Sequence, residues 1–112
     1  MNVRERAVSI SARLEPGRQT TVEVTGELEF STHVLFTERL VDIEDTRPSR
    51  ITVDLGGVTF MDSAGLHAVM DLAKRALKDG WELRLRNLPP KVERLFELTG
   101  VRARLPIENE LS

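Results

Sequence analysis

Asp62 and Ser63 stand where an apolar run, Val58-Thr59-Phe60-Met61, gives way to the first turn of an amphipathic segment. A serine hydroxyl there sits at the start of a helix. The first amides of a helix lack internal partners and carry the positive end of the macrodipole, so the place favours an anion or a phosphoryl group. Serine is also among the commonest N-caps, so a cap alone would explain the residue. The residue types leave both roles open.

Other chemistries have less to stand on. A nucleophilic serine on a sharp strand-to-helix turn needs Gly-x-Ser-x-Gly; Met61 occupies the first glycine position and only Gly65 matches. His67, one turn along, would still need an orienting carboxylate and an oxyanion site to serve as a base. His33 and His67 are the only histidines and cysteine is absent, which removes disulfides, thiolate catalysis and Cys-ligated metals and leaves little for a His-based metal site. Gly56-Gly57 lacks the lysine of a phosphate-binding loop and reads as a tight turn. No metal, cofactor or catalytic residue is expected.

The elements that must position Asp62 and Ser63 follow from hydrophobic periodicity. Val8, Ile10, Ala12 and Leu14 alternate with polar residues up to Pro16-Gly17, and Val22 and Val24 form a second β-branched run; the two should pair as a hairpin at a sheet edge. Ser31 or Thr32 can cap a helix carrying Phe36, Leu40 and Ile43, with Glu44 left to solvent. Ile51, Val53 and Leu55 read as the strand leading to the central loop. Leu66, Val69, Met70, Ala73 and Leu77 then mark the inner face of a helix that Gly80 ends. Trp81, Leu83 and Leu85 give another strand, and Pro89-Pro90 opens a helix with Val92, Leu95 and Phe96 inside. Val101, Ala103, Leu105 and Ile107 suggest a last edge strand, and Asn109 to Ser112 are expected to fray.

The order β-β-α-β-α-β-α-β predicts a single α/β domain over 1–112, with its core at about 8–108 and a mixed, mostly parallel sheet with helices packed against it. Sites in such sheets gather where strands give way to helices, which is where Asp62 and Ser63 fall. Sixteen Lys and Arg against 18 Asp and Glu, interspersed, give a net charge of −2 and no electrostatic footprint for nucleic acid. Trp81 and the four phenylalanines are spaced for burial instead of interleaving with a basic stripe. No run approaches the roughly 20 apolar residues of a membrane span, and the N-terminus lacks an apolar signal region, so a cytoplasmic protein without membrane or nucleic-acid partners is expected.

Three stretches in order carry a resemblance: Gly26-Glu27-Leu28; Val53-Asp54-Leu55-Gly56-Gly57 through Phe60-Met61-Asp62-Ser63-Ala64-Gly65-Leu66; and Pro90-x-Val92-x-Arg94-Leu95-Phe96-x-Leu98-Thr99-Gly100-Val101. Together they resemble STAS domains, in particular bacterial anti-sigma factor antagonists. The resemblance implies an STAS-like fold, no enzymatic activity, and a partner that is an anti-sigma factor with serine kinase activity. That kinase would phosphorylate Ser63, breaking the complex, and a PP2C-type phosphatase would restore it. A partner surface of Asp62, Ser63, Ala64, Gly65 and Leu66, with Glu27 and Thr32, is expected, Gly65 allowing close backbone approach. Glu29 stands where the family commonly has Asp, and Ala64 replaces a second serine of some members. The alternative is an STAS module in a stressosome-like scaffold or a lipid-transport complex, without a phosphorylation switch.

Overall fold

The computed structural model describes residues 6–108. Strands β1 (Val8–Glu15) and β2 (Gln19–Leu28) form the expected antiparallel hairpin, and β3 (Arg50–Met61) and β4 (Glu82–Arg86) add in parallel, giving the sheet order β1-β2-β3-β4. Helices α1 (His33–Glu44) and α2 (Ser63–Asp79) are the two crossovers and pack side by side; α3 (Pro90–Leu98) follows β4. Ile51, Val53 and Leu55 alternate inward as their pattern demands and are fully buried with Val22, Val24, Phe36, Leu40, Val69, Leu72 and Phe96. Gly80 closes α2 in the left-handed conformation, φ 78°, which costs glycine little.

Four expectations about the elements are corrected. Gly56-Gly57 does not end the strand: β3 runs on to Met61, and the pairing with β2 absorbs two register shifts, between Glu23 and Thr25 and between Gly26 and Glu27. At Gly57 a side chain would overlap Thr25, so the glycine lets the two strands stay close through the irregularity. The last strand is not one. Arg102–Arg104 form a 3₁₀ turn and only Ile107 bridges to Leu85, because Pro106 has no N–H to give a ladder; its carbonyl instead accepts from Leu85 N at 2.9 Å.

The buried face of α2 is turned from the expected one. Leu72 and Ala76 lie inside, while Leu77 is 88% exposed. Glu44 is not left to solvent either: it takes a two-pronged ion pair from Arg75 of α2, at 2.8 and 3.1 Å, that ties α1 to α2.

Candidate functional site

The long strand β3 delivers Asp62 to the carboxyl end of the sheet, where it caps α2. Its backbone is extended (φ −111°, ψ −170°), and its two carboxylate oxygens go to different loops. Oδ1 accepts from Gly65 N at 3.0 Å, within its own helix turn. Oδ2 accepts from Phe30 N at 3.1 Å, in the loop between β2 and α1. The cap is therefore Asp62 and not Ser63. Ser63 is the first helical residue and is exposed, so capping does not account for it.

The other loop is built by a buried polar cluster. Thr32 Oγ1 donates to Glu27 O at 2.6 Å and accepts from Glu29 N at 3.0 Å. Thr32 is the residue before α1, yet its hydroxyl serves this loop and makes no side-chain cap, contrary to the expectation for Ser31 or Thr32. Glu29, at the position where the family commonly has Asp, accepts from both the amide and the hydroxyl of Ser31. The carboxylate thus closes the turn that brings Phe30 to the surface.

Of the residues expected to touch a partner, Asp62, Ser63 and Ala64 reach the surface, while Gly65, Leu66, Glu27 and Thr32 are buried. The four are supports. A Cβ on Gly65 would overlap the Leu28 carbonyl, so the close approach the glycine allows is between α2 and β2 of this chain. Leu66 is a core anchor, and Glu27 faces Arg6 at 3.9 Å.

Residues the sequence reading overlooked supply the exposed apolar surface. Phe36 and Phe96 are buried as expected, but Phe30 is 77% and Phe60 40% exposed. Phe30 stands beside Asp62 through the backbone hydrogen bond, and Phe60 lies three residues before Ser63 with the Arg6 guanidinium 5.0 Å over its ring. Phe60 was legible from the strand itself, since alternation carried on from Ile51, Val53 and Leu55 puts residue 60 on the outer face. Exposed rings in the segments next to the Asp62-Ser63 turn are suited to a protein partner. Among the described residues no group of His, Cys, Asp and Glu could hold a metal ion, and no helix is long and apolar enough to cross a membrane.

The fold and this site define a small α/β domain that presents an exposed serine at a helix start. The family model described as Mlab, STAS domain, matches residues 11–107, and the chain belongs to the STAS domain family. It is 31% identical over 81 residues to the anti-sigma-B factor antagonist of Bacillus subtilis, covering 72% of this chain and 73% of that protein. An anti-sigma factor antagonist from Mycobacterium paratuberculosis superposes with a TM-score of 0.80 at 21% identity, over 94% of this chain and 88% of that one. The Bacillus antagonist SpoIIAA, solved unphosphorylated and phosphorylated, matches with TM-scores of 0.73 and 0.68, both at 16% identity. The two SpoIIAA alignments each cover 92% of this chain, and 90% and 94% of SpoIIAA respectively. These relatives are named as regulators and not as enzymes.

Proposed function

We propose that the chain is an anti-sigma factor antagonist whose Ser63 is the phosphoacceptor of its switch. The observation that carries this is an exposed Ser63 hydroxyl in the first turn of α2, with Asp62 rather than the serine serving as the cap. Partner binding would desolvate Phe30 and Phe60 around that hydroxyl. The partner would be an anti-sigma factor that is itself the serine kinase, opposed by a PP2C-type phosphatase; the phosphorylated form of the structural relative SpoIIAA supports a covalent switch.

The local physics explains how so small a change releases a partner. Asp62 already takes the Gly65 amide through its carboxylate and the Leu66 amide through its carbonyl. The amides of Ser63 and Ala64 remain to face a phosphate, which adds about −1.5 to −2 charges at neutral pH. The helix start accepts that charge without refolding, whereas an apolar interface cannot bury it. The phosphate also lies beside the Asp62 carboxylate, whose second oxygen holds Phe30. Like-charge repulsion there acts on the hydrogen bond that places the ring.

The test is reconstitution with the kinase-type anti-sigma factor that copurifies with the chain. With ATP, intact mass should rise by one phosphate, lost in Ser63→Ala, and calorimetry should show Ser63→Ala binding constitutively. Equal affinities for Ser63→Ala and Ser63→Asp contradict the switch. Copurification with scaffold or transport subunits and no phosphate transfer would favour an STAS module of a larger assembly.

A further inference from the structure

Among the described residues β1 ends the sheet, and no strand pairs with its outer edge. The hydrogen bond from Glu27 N to Ala7 O, 2.9 Å, makes residues 7 and 27 a hydrogen-bonded pair, and the register from Val8↔Gly26 to Glu15↔Gln19 has no shift. Hydrogen-bonded and non-hydrogen-bonded pairs alternate along an antiparallel ladder. Ser9, Ser11, Arg13 and Glu15 therefore bond inward to β2, while Val8, Ile10, Ala12 and Leu14 turn their N–H and C=O groups outward. Edges of this length are ordinarily blunted by lysine, proline, a bulge or an inward-pointing charge. From Val8 to Leu14 this edge has no lysine, proline or bulge, its one charge, Arg13, is paired with Glu15 and Glu23 on the open face, and Leu14, whose side chain lies on the helix-bearing face, is 81% exposed.

The geometry points to a second copy of this chain as the occupant, its β1 pairing antiparallel to the first about a two-fold axis through Ser11. In that register Val8 faces Leu14 of the other copy and Ile10 faces Ala12, each pair exchanging two hydrogen bonds through the outward groups. The side chains agree with the backbone. On one face the Val8–Leu14 and Ile10–Ala12 pairs are apolar; on the other Ser11 meets Ser11 and Arg13 meets Ser9. Arg13 is already neutralised within its own copy by Glu15 at 3.4 Å and Glu23 at 3.6 Å, so no like charges oppose.

Registers shifted toward the Pro16-Gly17 turn are worse. A shift that centres the axis on Ala12 brings the two Arg13 side chains to diagonal positions. One centred on Arg13 sets them directly opposite and places Ile10 against Pro16, which has no N–H. A single strand edge is a small interface, so the dimer is weak and concentration-dependent. The two-fold axis stands perpendicular to the sheet, so the two Ser63 ends point in opposite directions and both remain accessible. The inference does not depend on the function proposed for Ser63.

The full chain in sedimentation equilibrium should show a reversible monomer–dimer equilibrium. Ala12→Pro removes one outward N–H while leaving the β1–β2 ladder whole, and should weaken the dimer by about tenfold or more with an unchanged circular dichroism spectrum. Because the protein has no cysteine, Ser11→Cys gives a single-thiol reporter. Opposed residues of a non-hydrogen-bonded pair lie about 4.5 Å apart at Cα, within disulfide reach. Ser11→Cys should cross-link to a dimer under an oxidised glutathione buffer, and Arg13→Cys should not. A chain that stays monomeric at all concentrations overturns the proposal and leaves the edge to a strand from another protein. Cross-linking through Arg13→Cys in preference to Ser11→Cys overturns the register, and a dimer that Ala12→Pro does not weaken overturns the edge itself. Should Ala12→Pro fail to fold, the two thiol variants decide.

Discussion

The open face of the sheet and its carboxyl end use polar residues in opposite ways. On the open face Arg13, Glu15, Thr21, Glu23, Arg50, Thr52, Asp54, Glu82, Arg84 and Arg86 occupy adjoining rows, and the charges cancel locally. Arg50 bonds Glu82 at 2.6 Å, Arg84 lies near Glu82 and Glu108, and Arg86 lies near Asp54. At the carboxyl end few charges are present, and those few are committed: Asp62 to two amides, Glu29 to Ser31, Glu27 to Arg6. What the solvent meets there includes the Phe30 and Phe60 rings and the Ser63 residue. The face rich in charge has little capacity left to respond to more. The end with a fully used carboxylate and exposed rings is where one added charge has the largest effect.

The comparison can be broken in several places. The largest expected effect is Gly65→Val, which forces α2 away from the Leu28 carbonyl and should cost about 3 kcal/mol or more in denaturant unfolding. Undiminished stability would mean that α2 and β2 are not locked there. Ser63→Asp should lower affinity for the anti-sigma factor by about a hundredfold, roughly 2.7 kcal/mol, with stability within about 0.5 kcal/mol of wild type. Phe30→Ala should lower the same affinity by roughly tenfold while leaving stability nearly unchanged, as an exposed ring in an interface would. An equal loss in both measurements would instead make the ring structural.

The smallest effect belongs to the open face. Glu15 is held below its ordinary value near 4.5 chiefly by the Thr21 hydroxyl, and Glu82 chiefly by the hydrogen bond from Arg50. Because the folded values are depressed, both groups stabilise the fold above the ordinary carboxylate value, and that contribution is lost as pH falls through the depressed values. The double variant Glu15→Gln, Glu82→Gln should flatten the decline of melting temperature below about pH 4.5 while leaving neutral-pH binding intact. A changed affinity at neutral pH would show that the charged face takes part after all.

Much of the fold was legible because strand alternation survives wherever one face is buried. Ile51, Val53 and Leu55 showed it, and so did the hairpin with its Pro16-Gly17 turn. The failures share a cause: periodicity reports local pattern and not what lies across from it. Val101 to Ile107 alternates like a strand but meets only Leu85. Leu77 continues a helical stripe, yet burial in α2 follows Leu72 and Ala76. At the site, Asp62-Ser63 was readable from its place before an amphipathic segment. The division of labour between the two residues was not, since either can cap; it took the positions of the Gly65 and Phe30 amides to assign the cap to Asp62. Glu27 and Thr32 were expected on a partner surface, but both are buried, which their polar side chains did not announce.

β3 outruns its neighbour. It pairs with β4 only from Arg50 to Asp54, while β2 accompanies it to Met61. The stretch leading to Asp62 and Ser63 is thus paired on one side only, with Val58 and Met61 as its anchors in the core. Deuterium should enter its amides sooner than those of Ile51 and Val53, so the far half of the strand can breathe on its own. The end of the strand next to Ser63 then yields locally while the rest of the sheet stays rigid.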